Sequence, residues 1–277
     1  MKLPDLPGSE SRGARLLQPP AMMTSQHASI RHACLITSLA LAFGYAPPRA
    51  RRGVVAVAAS HAFGEREFWR NVYRGETNFP AEEYSWYCGY AELAPFWNEL
   101  VPRETDARDG PHVLVVGVGN DPTAVALHDA GWTKLTCFDY AQEAVERARE
   151  MFGAERLAGA GDDDRGGGVT VLEADATALP RGWDGAFDAV LDKGTLDALA
   201  IAGGAPRIAR AAGELKRAVR ARGVVVCLSR VADPGDLLAS FDARHWECLR
   251  DGALCFAPDG ESSTDLGALL FAWRRRL

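Results

Sequence analysis

The sequence predicts an α/β fold in which a mostly parallel sheet is covered by helices on both faces. From Gly110 onward, short runs rich in β-branched residues alternate with segments of amphipathic, helical periodicity. A loop containing Gly117 and Gly119 directly follows the first of these runs, as in sheets that bind nucleotide-type ligands. The chain has 277 residues, of which 47% are hydrophobic, so it can bury a sizeable core.

The predicted elements follow one another in a regular order. Strands are expected at Val113–Val116, Lys134–Phe138, Val169–Leu172, Phe187–Leu191 and Val224–Leu228, with two more near 246–250 and 268–273. Helices are expected at Asp121–Ala130, Ala141–Phe152, Pro206–Arg220 and near Asp236–Phe241. The stretch 159–168, rich in glycine and aspartate, is expected to be a loop.

Charged side chains follow the strand ends, where sheets of this kind bind their ligands. Asp139 stands twenty residues beyond Gly119, a spacing that suits a carboxylate accepting ribose hydroxyls, although it could also cap the next helix. Asp175 could accept a hydrogen bond from an adenine amino group or be a solvated turn residue. Asp192 and Lys193 leave the fourth strand, and such a pair is usually a surface ion pair. Together, the four strand ends favour an adenosyl site.

Six segments in this order resemble the class I S-adenosylmethionine-dependent methyltransferases: REFWRNVY, EEYSW, VLVVGVGN, FDYA, EADATAL and FDAVLDKGTLDAL. Within that class they are similar to the branch of the elongation-factor-1-alpha lysine methyltransferases and their methyltransferase-domain relatives. The resemblance covers about residues 65–230 and implies a Rossmann-like, seven-stranded sheet with one antiparallel hairpin strand. It also implies S-adenosylmethionine as the cofactor. The site would consist of Trp69, Tyr73, Trp86, Gly117, Gly119, Asp139, Tyr140, Asp175, Ala176 and Lys193.

Two positions depart from the wider superfamily. Val115 stands where most members have a carboxylate, although members of this branch often carry an apolar residue there. Asp121 stands where many have a glycine, which leaves the contact at the methionine end of the cofactor open. Pro122 occupies the third glycine position of a dinucleotide fingerprint, so a dehydrogenase that uses NAD is disfavoured.

The aromatic residues Trp69, Tyr73 and Trp86 suit a lid over a sulfonium cation, because aromatic faces attract cations. Ordinary core packing is the alternative. The two interpretations are balanced for Trp69, and the lid is favoured for Trp86. A lid predicts that the segment 65–90 becomes more ordered when the cofactor binds.

The resemblance implies methyl transfer, with a protein lysine as the first candidate acceptor and a translation factor among the candidate partners. An apolar pocket lowers the pKa of a lysine, so no obligate base is required; Asp192 and Asp197 are candidates for orienting the amine. A small-molecule methyltransferase and a non-catalytic adenosyl-binding scaffold are the alternatives. No metal site is expected.

Residues 1–60 are interpreted as a targeting leader, followed by a helical lid segment at 61–109 and a methyltransferase domain at 110–277. The leader carries seven basic residues against two acidic ones. Its apolar stretch, Ala33–Ala42, suits a signal-peptide core and is too short to span a membrane, and an acid-free stretch follows. These features predict a plastid location without stable membrane insertion once the leader is removed. A disordered tail on a cytoplasmic protein is the alternative.

The rest of the chain is acidic, with 24 basic residues against 35 acidic ones. This balance argues against a general nucleic-acid binder. The six cysteines include no CxxC pair and are interpreted as buried, reduced thiols.

Overall fold

A computed structural model describes residues 61–103, 110–158, 168–254 and 268–277. The predicted leader and most of the predicted loop at 159–168 lie outside the described residues. One seven-stranded sheet forms the centre, as predicted. Its strands are β1 (His112–Val116), β2 (Lys134–Asp139), β3 (Gly168–Glu173), β4 (Phe187–Lys193), β5 (Val219–Ser229), β6 (Trp246–Leu254) and β7 (Leu269–Arg275).

Helices precede the sheet and connect its strands. They are α1 (Arg66–Tyr73), α2 (Tyr90–Leu100), α3 (Thr123–Asp129), α4 (Gln142–Phe152), α5 (Thr195–Ala218) and α6 (Pro234–Ser240), with a short 3-10 helix at Arg181–Trp183. In the part of the chain that the structure describes, no helix is both long and apolar enough to cross a membrane.

The strands are arranged in the order β3-β2-β1-β4-β5-β7-β6. Strands β1 to β5 pair in parallel, and β7 is antiparallel to both of its neighbours, β5 and β6. The strand order reverses between β1 and β4, where Val116 pairs with Asp192. The connections leave this point on opposite faces of the sheet, so a crevice opens at the carboxyl ends of these two strands.

The sheet is buried on both faces, which explains why its strands are continuous apolar runs. Successive side chains of β1 enter different core clusters: Val113 and Val115 pack on one face, and Leu114 and Val116 on the other. All four are at most 6% exposed. A substitution that reversed this alternation would place polar groups in a closed core.

The helix predicted at Pro206–Arg220 differs most from the structure. It begins at Thr195, and the backbone is non-helical at Gly203 and Gly204, so two helical segments are joined across a kink. It ends at Ala218, because β5 already pairs Val219 with Phe187 before a bulge shifts the register. The positive φ of Arg222 belongs to this irregular stretch of β5.

The thiols were predicted to be buried. The structure confirms burial for Cys88, Cys137 and Cys227. Cys248 is an exception: it is free and exposed. The remaining two cysteines lie outside the described residues.

Candidate active site

The ends of β1, β2 and β4 and the turn after β3 surround one pocket at the point where the strand order reverses. All ten residues predicted as cofactor contacts line it: Trp69, Tyr73, Trp86, Gly117, Gly119, Asp139, Tyr140, Asp175, Ala176 and Lys193. Ends of parallel strands meet at one edge of a sheet, so residues far apart in sequence converge here. Their individual contacts with a cofactor remain predictions.

The loop after β1 forms a backbone cradle that only glycine permits. Gly117 and Gly119 have φ angles of 59° and 52°, in the left-handed region that other residues rarely adopt. A Cβ atom at Gly117 would collide with the Thr195 hydroxyl. At Gly119 it would lie 2.7 Å from the Tyr73 hydroxyl. The cradle therefore lets both neighbouring side chains, and a ligand between them, approach the backbone closely.

Asp139 has the capping role considered for it and lines the pocket, while its contact with a ribose stays a prediction. Its buried carboxylate accepts hydrogen bonds from the Gly119 amide at 3.2 Å and from the Ala141 amide at 2.9 Å, so it holds the glycine loop and the start of α4. Burial raises its pKa to about 6 from 3.8, and the backbone donors partly oppose that shift. Because burial disfavours the ionised form of this carboxylate, further hydrogen-bond donors such as the hydroxyls of a ribose would stabilise it.

Asp175 and Ala176 form the wall of the pocket next to β3. The Asp175 Oδ1 atom accepts hydrogen bonds from the amide and the hydroxyl of Thr177, both at 2.7 Å, and the residue is exposed. Asp175 is therefore a turn residue that also faces the pocket. Ala176 is only 6% exposed and packs into the core beneath it.

Aromatic residues cover the pocket from the segment before the sheet. Trp69 stacks on Tyr73, with 6.1 Å between ring centroids, and meets the edge of Trp86 at 5.4 Å. Its indole nitrogen donates to the Phe63 carbonyl at 2.7 Å. Trp69 thus packs within the segment and also lines the pocket, and its role as part of a lid stays a prediction.

Polar contacts fasten the irregular part of this segment, 74–89, to the glycine loop. The Asn120 carbonyl accepts the Tyr84 amide at 3.0 Å, and its side-chain amide donates to the carbonyl of Pro80 at 2.9 Å and to that of Glu82. The Trp86 amide donates to Asp121 Oδ2 at 3.0 Å. Sequence reasoning missed this role of Asn120, since contacts made by an irregular segment have no periodic signal.

Asp121, which stands where many superfamily members have a glycine, forms an ion pair inside the protein. Its Oδ2 atom lies 2.8 Å from Lys193 Nζ, and both side chains are nearly buried. Lys193 also donates to the Thr123 hydroxyl at 2.7 Å and to the Cys88 carbonyl. Asp121 is thus neutralised by an ion pair inside the protein, and all three ammonium protons of Lys193 have acceptors.

Of the two candidates for orienting the acceptor, Asp192 lies outside the pocket wall. Neighbouring residues on a strand point to opposite faces, so Lys193 faces the pocket while Asp192 turns away from it. Asp192 is completely buried, is absent from the pocket wall, and accepts a hydrogen bond from the Cys227 thiol at 3.1 Å. Asp197 does line the pocket, but four donors already surround its carboxylate: Tyr87, Ser229, Arg230 and Ala232.

Several pocket residues were not predicted from the sequence. Tyr87 is the most informative, because its hydroxyl is hydrogen-bonded to Asp197 at 2.5 Å. The Thr195 hydroxyl lies beside Gly117 and donates a hydrogen bond to the Val116 carbonyl at 3.0 Å. The other unpredicted residues include Phe63, Leu199, Ile201, Arg207 and Val231. The apolar members of this set sit in helices or turns where core packing would be the default interpretation.

The pocket fits the predicted cofactor. The glycine loop lets the cofactor approach the backbone closely. The buried carboxylate can accept hydrogen bonds from hydroxyls, and the aromatic wall offers ring faces to a cation. Together with the sheet order, these features define a class I S-adenosylmethionine-dependent methyltransferase domain, and S-adenosylmethionine is the cofactor of that class. Residues 114–227 match the methyltransferase domain family.

Within that class, the chain is similar to two curated relatives. It is 33% identical to the eEF1A lysine and N-terminal methyltransferase of Xenopus laevis and 30% identical to that of Mus musculus, over 144 residues in each case. The match covers 51% of this chain but only 18% and 17% of those proteins, so the chain spans less than a fifth of their length. The predicted resemblance is confirmed.

A solved structure shares the fold. It is described as "Conversion of a Disulfide Bond into a Thioacetal Group during Echinomycin Biosynthesis" and superposes with a TM-score of 0.54 at 24% identity. The likeness covers 76% of this chain and 92% of the other. It concerns the fold and carries no information on the acceptor.

Proposed function

We propose that this chain methylates a protein amine, with a lysine side chain as the acceptor. The observation that carries the proposal is the convergence of the glycine cradle, Asp139 and the aromatic segment on one pocket, beside the half-buried hydrogen bond between Tyr87 and Asp197. The names of the two relatives specify lysine and N-terminal methylation of eEF1A, and both acceptors are amines. This supports the choice of an amine and makes a translation factor a reasonable candidate partner.

The chain's own residues would act mainly by positioning. When bound, S-adenosylmethionine supplies a methyl group on sulfur: the acceptor lone pair forms the new bond, the carbon–sulfur electron pair stays on sulfur, and the acceptor nitrogen then loses a proton. The apolar wall formed by Trp86, Leu199 and Ile201 keeps water away and favours the neutral amine, which has the necessary lone pair. Holding the reactants aligned supplies much of the remaining acceleration.

The experiment is transfer of tritiated methyl groups into a cell extract, followed by acid hydrolysis and identification of the labelled amino acid. We expect labelled methyl-lysine, and we expect S-adenosylhomocysteine to suppress it. Label confined to the low-mass fraction would instead favour a small-molecule acceptor. Absence of label together with tight S-adenosylhomocysteine binding would favour the scaffold.

A matched pair of glycine variants controls this experiment. Gly119→Ala would place a Cβ atom against the Tyr73 hydroxyl at a positive φ, so we expect loss of labelling. Gly213→Ala places its Cβ atom in open space on α5 and should label like the wild type. Equal labelling by both variants would contradict the assignment of the cradle.

The plastid location is also a proposal, since it depends on residues 1–60. A fluorescent protein fused after residue 60 should enter plastids if those residues are a leader. Diffuse cytoplasmic fluorescence would support the alternative.

A further inference from the structure

The backbone at Tyr87 is held in a rare conformation. Its φ angle is 63°, and the Cys88 amide donates to the Trp86 carbonyl at 2.7 Å, so Tyr87 is the central residue of a three-residue turn with positive φ. Turns of this kind are rare and strained. The strain persists only where the surroundings impose it, which makes the presented side chain a functional candidate.

Both flanks of this turn are anchored by the same buried ion pair. On one side the Trp86 amide donates a hydrogen bond to Asp121 Oδ2. On the other side the Cys88 carbonyl accepts a hydrogen bond from Lys193 Nζ. Asp121 and Lys193 are in turn bonded to each other. The pair therefore fixes the turn and, with it, the direction of the Tyr87 side chain.

The Tyr87 hydroxyl lies at the wall of the pocket. It is hydrogen-bonded to Asp197, which lines the pocket, and it would be 3.3 Å from a Cβ atom built on Gly194, another lining residue. The residues nearby in the wall are apolar, namely Ala198, Leu199 and Val231. A reacting group that enters beside these apolar side chains would meet the Tyr87 oxygen as a polar atom next to them.

The direction of the Tyr87–Asp197 hydrogen bond is fixed by the other partners of Asp197. Oδ1 receives the Ser229 hydroxyl and the Ala232 amide, and Oδ2 receives the Arg230 amide. Amides can only donate, and a carboxylate has about four acceptor positions. Three of these positions are occupied by other donors, and the fourth faces the Tyr87 hydroxyl, which donates to Oδ2. Burial, followed by the Asp197 charge, raises the pKa of Tyr87 well above its usual value, which keeps that proton in place.

We propose that Tyr87 selects the class of methyl acceptor: its oxygen, with its own proton committed to Asp197, can only accept a hydrogen bond, so it favours an amine and rejects a carboxylate. This deepens the proposed function and rests on it. An amine presents an N–H to that oxygen, whereas an ionised carboxylate presents only lone pairs and would be repelled. Tyr87 is thus a specificity-determining residue, and Asp197 is the residue that positions it.

The test compares two probes of equal length, n-butylamine and butyrate, on the full-length protein saturated with S-adenosylhomocysteine. Saturation-transfer NMR titrations measure the affinity of each. We expect the wild type to prefer butylamine. We expect Tyr87→Phe to weaken butylamine binding about 10-fold, the scale of one hydrogen bond to a charged donor, while S-adenosylhomocysteine affinity stays within about twofold.

Tyr90→Phe is the matched control, because it removes a hydroxyl three residues away that does not line the pocket. Its thermal midpoint and probe affinities should equal those of the wild type. An unchanged preference in a folded Tyr87→Phe variant, or butyrate binding as tightly as butylamine in the wild type, would overturn the inference. Failure to bind S-adenosylhomocysteine would instead overturn the proposed function. In that case the affinities of butylamine and butyrate would be measured on the protein without S-adenosylhomocysteine. A preference for butylamine that Tyr87→Phe removes would still support the inference, and no such preference would overturn it.

Discussion

Lys193 and Asp121 form a buried ion pair in which Nζ lies 2.8 Å from Oδ2. The pair links the end of β4 to the glycine loop after β1. It also supplies a hydrogen-bond partner to each flank of the turn at Tyr87. One electrostatic contact therefore joins the sheet edge, the cofactor cradle and the aromatic segment.

Breaking this pair should destabilise the protein strongly. Lys193→Met leaves the Asp121 carboxylate without its cation inside the protein, and we expect a loss of about 3–5 kcal/mol in the free energy of unfolding. The double variant Asp121→Asn, Lys193→Met removes both charges and should lose less than Lys193→Met alone. Urea unfolding of the wild type, both single variants and the double variant measures the coupling. Additive losses would show that the two charges act independently.

Asp139→Asn should weaken S-adenosylhomocysteine binding by about 1–3 kcal/mol, because the ribose hydroxyls lose a charged acceptor. Asparagine keeps one oxygen for the Gly119 or Ala141 amide, so the fold should survive better than with alanine. Isothermal titration measures the affinity. Unchanged binding by the folded variant would limit Asp139 to organising the loop and the helix.

The affinity for S-adenosylhomocysteine should also depend on pH through Asp139. Its pKa in the free protein is about 6, and binding to hydroxyl donors favours the ionised form. Affinity should therefore rise with pH until about pH 7 and then level off. Each pH unit below 6 should weaken binding about tenfold. Asp139→Asn should flatten this slope, and a wild-type affinity that is constant from pH 5 to 8 would contradict the prediction.

Trp86→Ala should reduce cofactor affinity more than it reduces stability. The half-buried Trp86 ring lines the pocket, so it gains part of its contact area only in the complex. Trp97→Ala is the matched control, because Trp97 is completely buried and does not line the pocket. This variant should lose about 3–5 kcal/mol in the free energy of unfolding and keep its cofactor affinity.

Hydrogen exchange in 65–90 should slow on adding S-adenosylmethionine. A large stability loss with intact affinity would make Trp86 a packing residue.

Asp192→Asn should change the pH dependence of stability and leave S-adenosylhomocysteine binding intact. Burial raises the pKa of Asp192 to about 7 from 3.8, so the folded state holds a proton that the unfolded state releases. This contribution to stability is fully present below about pH 4 and is lost as the pH rises through 7. The variant should avoid that loss. The difference in free energy of unfolding, variant minus wild type, should therefore be larger at pH 8 than at pH 4 by on the order of 3 kcal/mol. The same difference in free energy of unfolding between variant and wild type at pH 4 and at pH 8 would contradict this prediction.

The sequence by itself determined the sheet, its strand ends and the pocket they surround. Buried parallel strands are apolar runs of recognisable length, and their carboxyl ends meet at one edge. A residue that follows a strand, such as Asp139 or Asp175, is therefore placed by local sequence alone. The positions of Gly117 and Gly119 in the loop were predictable for a similar reason, because a tight turn from strand to helix requires the backbone freedom of glycine.

Only the tertiary structure decided which charged groups meet. Lys193 pairs with Asp121 and not with its neighbour Asp192, because successive side chains of β4 point to opposite faces. Tyr87 meets Asp197 across 110 residues of sequence, through a strained turn in a segment that has no periodicity. Such contacts depend on how an irregular segment docks on the finished sheet, and their energy comes from partners that no local pattern specifies.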